Sequence, residues 1–185
     1  MWQIIAFLLL LIFPGIAMSD NSTNLNAYKF SFISIDGRNL HLSQFEGKVL
    51  LVINTASRCG FTRQYSEIQK LWATYRDKGL VVIGVPSNDF GGQEPNGEGE
   101  IQEFCKVNFG VDFFMTTKEH VTGDQAHPFY KWVSKEAGLL GKPRWNFHKY
   151  LIGPDGQVVD WFSSPTSPTS KRVVKAIEEA LSGHS

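Results

Sequence analysis

Apolar residues are distributed along this chain in three ways, and each predicts a different kind of element. Residues 4–13, IIAFLLLLIF, form an unbroken apolar block with no polar face. Residues 49–54 and 80–85 are shorter runs rich in Val, Ile and Leu, the pattern of strands covered on both faces of a sheet. Elsewhere apolar residues recur at three-and-four spacing. Tyr65, Ile68, Leu71, Trp72 and Tyr75 predict a helix over 62–78 that Gly79 stops. Ile101 and Phe104 mark the buried side of a helix over 98–108 with acidic residues in its first turn, and Val173, Ile177 and Leu181 stripe a last helix. Between these, Pro128 suits the first position of a helix that continues over 129–137.

Two further stretches read as pairs of strands. Tyr28, Phe30 and Phe32 alternate with Lys29 and Ser31, and Asp36-Gly37 then signals a hairpin leading into 39–42. Residues 150–152 and 158–162 are joined by Gly153-Pro154-Asp155-Gly156, too short a connection for anything but antiparallel pairing. Strand, helix, strand over 49–85 implies a right-handed crossover and a parallel pair. The predicted class is therefore α/β: a thioredoxin-like fold with a central mixed sheet flanked by helices, an added N-terminal β-hairpin and an inserted helix. Two loops interrupt this pattern, the Gly-, Asn- and Pro-rich stretch 86–99 and the Ser/Pro-rich linker 163–170. A loop as long as the first is usually functional in a compact domain.

The N-terminal block is about as long as a signal-peptide core, and Pro14-Gly15 and small residues follow it. It carries no Lys or Arg before the apolar run and is short for a span of roughly 20 apolar residues. The expectation is an export signal over 1–19, a polar lead-in over 20–26 and one domain over 27–185, in a periplasmic or secreted product. The alternative is an uncleaved N-terminal segment that tethers the domain to a membrane; after cleavage no stable span is expected.

Composition narrows the function classes. With 185 residues and 42% apolar residues the chain can build one well-packed core. Its 18 Lys and Arg balance 18 Asp and Glu and are spread thinly, which leaves no footprint for nucleic acid or an anionic membrane. Two cysteines, Cys59 and Cys105, are too few for a disulfide framework and lack zinc-site clustering. Chemistry explains them better than architecture.

Cys59 follows the first buried run after a short polar turn, where a helix is expected to begin. Unpaired N–H groups and the positive end of a helix dipole favour a thiolate there. A thiolate that attacks a peroxide oxygen must also see the other oxygen leave, so neutral donors are needed nearby. Gln93 in the 86–99 loop, and Trp145 and Asn146 before the third sheet strand, are the candidate donors that such a sheet brings to one edge.

Three blocks of these residues carry a resemblance. Asn54-Thr55-Ala56-Ser57-Arg58-Cys59-Gly60-Phe61-Thr62, then Asn88-Asp89-Phe90-Gly91-Gly92-Gln93-Glu94-Pro95, then Trp145-Asn146-Phe147 with Lys149, resemble in order and rough spacing the signature blocks of the glutathione peroxidase family. The resemblance runs from about Tyr28 to the last helix. It implies a thiol peroxidase that reduces hydrogen peroxide or organic (lipid) hydroperoxides, with Cys59 peroxidatic and Gln93, Trp145 and Asn146 completing a catalytic tetrad. It implies no cofactor beyond a thiol co-substrate, either glutathione or a thioredoxin-like protein, and no metal. Cys105 lies near the resolving cysteine of two-cysteine members, while an inert buried thiol is the competing reading. Asp89 stands where the family loop usually has Gln, and Phe114 where a Pro follows the preceding Phe. The short interval before Trp145 resembles members without the loop through which tetrameric relatives associate, so a monomer is expected.

Other readings of the same residues remain open at this stage. A redox relay that passes a disulfide to a partner protein would share Cys59. An ordinary dithiol oxidoreductase is disfavoured, because Cys59-Gly60-Phe61-Thr62 lacks a second cysteine. His148 has no metal-like spacing and is expected to be satisfied or exposed.

Overall fold

The computed structural model describes residues 25–183, so the expected export signal lies outside the described residues, as does most of the polar lead-in. In chain order the elements are β1 (Ser31–Ile33), β2 (Asn39–His41), β3 (Val49–Thr55), α1 (Gln64–Tyr75), β4 (Leu80–Pro86), α2 (Glu98–Phe109), β5 (Phe114–Met115), α3 (Pro128–Glu136), β6 (Lys149–Ile152), β7 (Val158–Phe162) and α4 (Lys171–Leu181). β1 and β2 form the hairpin, and the other strands make one sheet in the order β5-β4-β3-β6-β7. β3 pairs parallel with β4 and antiparallel with β6, and β6 pairs antiparallel with β7, so the sheet is mixed.

The continuous apolar character of β3 has the expected cause. Val49, Leu51 and Ile53 face one core with Ile68 and Leu71 of α1, Ile101 of α2 and Val173 and Ile177 of α4. Leu50 and Val52 face a second core with Phe32 and Leu40 of the hairpin and Phe129 and Val133 of α3. A strand between two cores has no solvent face to make polar. The thioredoxin-like α/β expectation holds, with the hairpin and α3 together covering one face of the sheet.

One boundary differs in a way that matters for the site. α1 begins at Gln64, five residues beyond Cys59. The intervening chain forms successive tight turns, with Thr62 N–H donating to Cys59 O, Gln64 N–H to Phe61 O and Tyr65 N–H to Thr62 O. The first amides of the helix are thereby spent on its own preceding turns. Because the dipole effect fades within the first turn, it is a weaker influence on Cys59 than the sequence suggested.

Candidate active site

Cys59 is 7% exposed and sits in the turn between β3 and α1. Among the described residues its sulfur receives one hydrogen bond, from Phe61 N–H at 3.4 Å. Thr62 builds the turn around it: the hydroxyl accepts Cys59 N–H at 3.1 Å and lies 2.6 Å from Cys59 O, with the carbonyls of Ala56 and Ser57 close by. The thiol is held at the mouth of a closed backbone loop.

The three other candidates are brought to the same edge of the sheet. Arg58 N–H donates to Gln93 O at 3.0 Å, which fastens the 86–97 loop beside the cysteine turn. Asn146 Nδ2 donates to Gln93 Oε1 at 2.9 Å, which ties the segment before β6 to that loop. Gln93, with its oxygen occupied, keeps its NH₂ as the donor end. Asn146 is fully buried and Trp145 is 39% exposed, its ring packed against Phe90 at 6.0 Å between centroids. Gln93, Trp145 and Asn146 make no hydrogen bond to the sulfur; Gln93 is bonded to Asn146 and to the cysteine's neighbour Arg58, and Trp145 precedes Asn146 in the chain.

Asn54 sets the last segment. At the polar end of β3 its Nδ2 donates to Trp145 O at 3.1 Å and its Oδ1 accepts His148 N–H at 3.0 Å, while its carbonyl takes Phe147 N–H at 2.6 Å. These bonds hold Phe147 at φ 64°, the one non-glycine with positive φ among the described residues. A bulky residue there costs about 1–3 kcal/mol, which the surrounding structure must offset. The reversal lets Trp145 stay partly exposed while Phe147 is buried against Tyr65. An amide at the end of an apolar strand was the available signal for Asn54, but its partners lie about ninety residues on.

Two departures from the family pattern can be located. Asp89 Oδ2 accepts Val121 N–H at 2.7 Å and Thr122 N–H at 3.1 Å, and Oδ1 lies 2.6 Å from His120 Nδ1. It fastens the loop to the segment before α3. Phe114 stands in β5 and packs against Phe45 at 5.0 Å between centroids.

Cys105 is buried in α2, 1% exposed, and burial pushes its thiol up to about 11. Both cysteines are free and share the core packed against α1, α2 and α4. Beside the site a cavity of about 330 Å³ is lined by Phe61, Leu140, Trp145, His148 and Trp161, with Lys142 and Arg144 at it as well. Among the described residues no group of three or more His, Cys, Asp or Glu is placed to hold a metal ion, and no helix is long and apolar enough to cross a membrane.

His148 is not exposed, and of the two expected alternatives only partial satisfaction is found, a backbone hydrogen bond with Gly141 acting on the ring. It is 3% exposed, stacks on Trp161, and its Nε2 has no hydrogen-bond partner. Burial pushes its pKa down to about 4, with Lys149 alongside contributing. Below the ordinary histidine value of about 6.5 the unfolded chain takes up a proton that the folded one refuses. His148 therefore contributes stability present above pH 6.5 and lost as pH falls toward 4. Urea unfolding at pH 7 and pH 4.5 is expected to show the parent losing about 2–3 kcal/mol more than His148→Phe; equal losses would contradict this.

A family model described as glutathione peroxidase matches residues 27–134. A glutathione peroxidase of Lactococcus lactis is 45% identical over 146 residues, covering 78% of this chain and 93% of the relative. A glutathione peroxidase-like peroxiredoxin 2 of Saccharomyces cerevisiae is 46% identical over 137 residues, covering 72% and 85%. Among solved structures, that of T. cruzi GPX1 matches with a TM-score of 0.69 at 31% identity, covering 85% of this chain and 97% of that one.

Proposed function

The chain belongs to the glutathione peroxidase family, and from that premise we propose that it is a thiol peroxidase in which Cys59 attacks the peroxide. The observation that supports the assignment is the pair of hydrogen bonds joining Arg58, Gln93 and Asn146, which ties the loop of Gln93 and the segment of Asn146 to the turn that carries Cys59. The Cys59 thiolate takes the terminal oxygen of the hydroperoxide, the O–O bond breaks, and the leaving alkoxide or hydroxide is protonated to alcohol or water. The sulfur is left as a sulfenic acid. Gln93, Asn146 and Trp145 supply neutral N–H groups for the oxygen that develops charge. A thiol then forms a disulfide with Cys59 and releases water, and a second thiol reduces that disulfide. The thiol reductant, glutathione or a thioredoxin-like protein, is a co-substrate, and no cofactor enters the cycle. The apolar cavity beside Trp145 suits the carbon end of an organic hydroperoxide.

Cys105 is a poor nucleophile where it stands, because burial raises its pKa and α2 encloses it. It resolves the sulfenic acid, on this reading, when α2 opens locally and frees its buried thiol to ionise and attack. In the reduced protein at pH 8, iodoacetamide is expected to modify Cys59 at least roughly 10²-fold faster than Cys105, the difference vanishing in urea. Comparable native rates would show that Cys105 is already available.

The test of the function is turnover. Reduced protein with hydrogen peroxide should oxidise either glutathione or thioredoxin over many cycles; stoichiometric oxidation alone with both would point instead to a relay. We propose in addition that the domain is exported on residues 1–19 and acts as a monomer. N-terminal sequencing of the product made in a secreting host, and its sedimentation, test these two points.

A further inference from the structure

We propose that Glu94 is a positioning residue for the reaction, a buried carboxyl that clamps the cysteine turn to the loop bearing Gln93 and so sets both halves of the site. This rests on the peroxidase reading above. Glu94 is fully buried, an unusual place for a carboxyl on a surface loop. Its Oε2 accepts both Ser57 N–H and Ser57 Oγ–H, each at 2.8 Å, two residues before Cys59. Its own N–H donates to Asn88 Oδ1 at 2.9 Å, closing the loop that carries Gln93, and Lys118 Nζ reaches Glu94 O at 3.3 Å and Asn96 O at 2.7 Å. One side chain therefore joins the turn around the sulfur to the residue adjoining Gln93, whose oxygen in turn holds Asn146.

The other oxygen, Oε1, is buried without a partner. A structural strut has no need of a second, unpaired carboxyl oxygen in a core, so the arrangement leaves a place for a proton. The groups that act on Glu94 are Ser57, Lys118 and Arg58, and it raises Tyr65 and Cys105 in return; burial is the largest influence and pushes its pKa upward. With the proton on Oε1, Oε2 still accepts from Ser57, though as a weaker neutral acceptor. The clamp loosens without letting go. Cys59 reactivity should accordingly carry, besides the fall set by protonation of its own thiol, a second acidic limb that belongs to Glu94.

The test uses the full chain and two readouts, hydrogen peroxide turnover and the pH dependence of Cys59 alkylation in the absence of peroxide. Glu94→Gln keeps an oxygen facing Ser57 but cannot titrate. It is expected to retain turnover within roughly threefold and to lose that second limb while keeping the thiol's own, because a neutral amide keeps about half the strength of a charge-assisted bond. Glu94→Ala is expected to lose roughly 30-fold or more in turnover and to alter the alkylation rate of the folded protein. Should Glu94→Ala fail to fold, Ser57→Ala removes only the hydroxyl bond and is expected to fall between the parent and that loss. If the Gln variant keeps the second limb, or the folded Ala variant alkylates as the parent does, Glu94 is merely structural and the inference is overturned. The alkylation readout needs no catalysis, so a parent protein that turns over no peroxide would overturn the peroxidase reading and leave this one to be judged separately.

Discussion

Replacing Cys59 with serine is expected to lower peroxide turnover by at least roughly 10³-fold while leaving folding stability within about 1 kcal/mol of the parent. The two effects separate because the substitution changes the chemistry and barely changes the shape. A hydroxyl is hardly ionised at neutral pH and is a poor nucleophile toward a peroxide oxygen, whereas the sulfur is polarizable and its thiolate is the attacking form. The site tolerates the smaller atom: Cys59 is 7% exposed, and Phe61 N–H, now aimed at the sulfur, can donate to an oxygen in its place. Far-ultraviolet circular dichroism and urea unfolding check the fold, and peroxide consumption checks the activity. Full activity in a folded Cys59→Ser protein would remove the nucleophile from the proposal.

The second large effect concerns donors that act as a unit. Gln93→Ala and Asn146→Ala are each expected to cost roughly 10²–10³-fold in turnover, the scale seen when one oxyanion donor is removed. The double variant should be little worse than either, because the Asn146 Nδ2 to Gln93 Oε1 bond makes each residue's placement depend on the other. The pair also differs in stability. Asn146 is fully buried and its Oδ1 already has no partner, so Gln93→Ala strands its NH₂ as well, at a cost of about 1–3 kcal/mol. Turnover losses that add in the double variant would mean the two side chains work independently.

Much of the fold was legible because its signals are local. The apolar runs of β3 and β4, the stripes of α1, α2 and α4, the turn at Gly153-Pro154-Asp155-Gly156 and the proline that opens α3 all appear near their expected positions. The start of α1 was not legible, since nothing in Cys59-Gly60-Phe61-Thr62 distinguishes a first helical turn from the hydroxyl-closed loop that forms. Residues that bind the site together were the least visible. Asn54, Ser57 and Glu94 owe their roles to partners 37 to 94 positions away, and only the folded sheet edge brings those partners near. Glu94 enters the sequence reading only as a member of the block around Gln93, with nothing to mark it as buried. His148 reads as a satisfied or exposed imidazole, and its burial against Trp161 and Tyr150 depends on contacts that the chain makes only when folded.

Fold alone would not separate this chain from dithiol oxidoreductases that share its plan. What distinguishes the present site is the single cysteine in its turn together with the amides of Gln93 and Asn146 bonded across the edge.

Addition of one equivalent of hydrogen peroxide to the reduced protein, with dimedone present to trap sulfenic acid, followed by peptide mapping, places the first oxidation on one residue. The adduct is expected on the peptide containing Cys59, with Cys105 still a thiol or joined to Cys59 only where α2 has opened before trapping. An adduct on Cys105 with Cys59 still reduced would contradict the assignment of Cys59 as the residue that meets the peroxide.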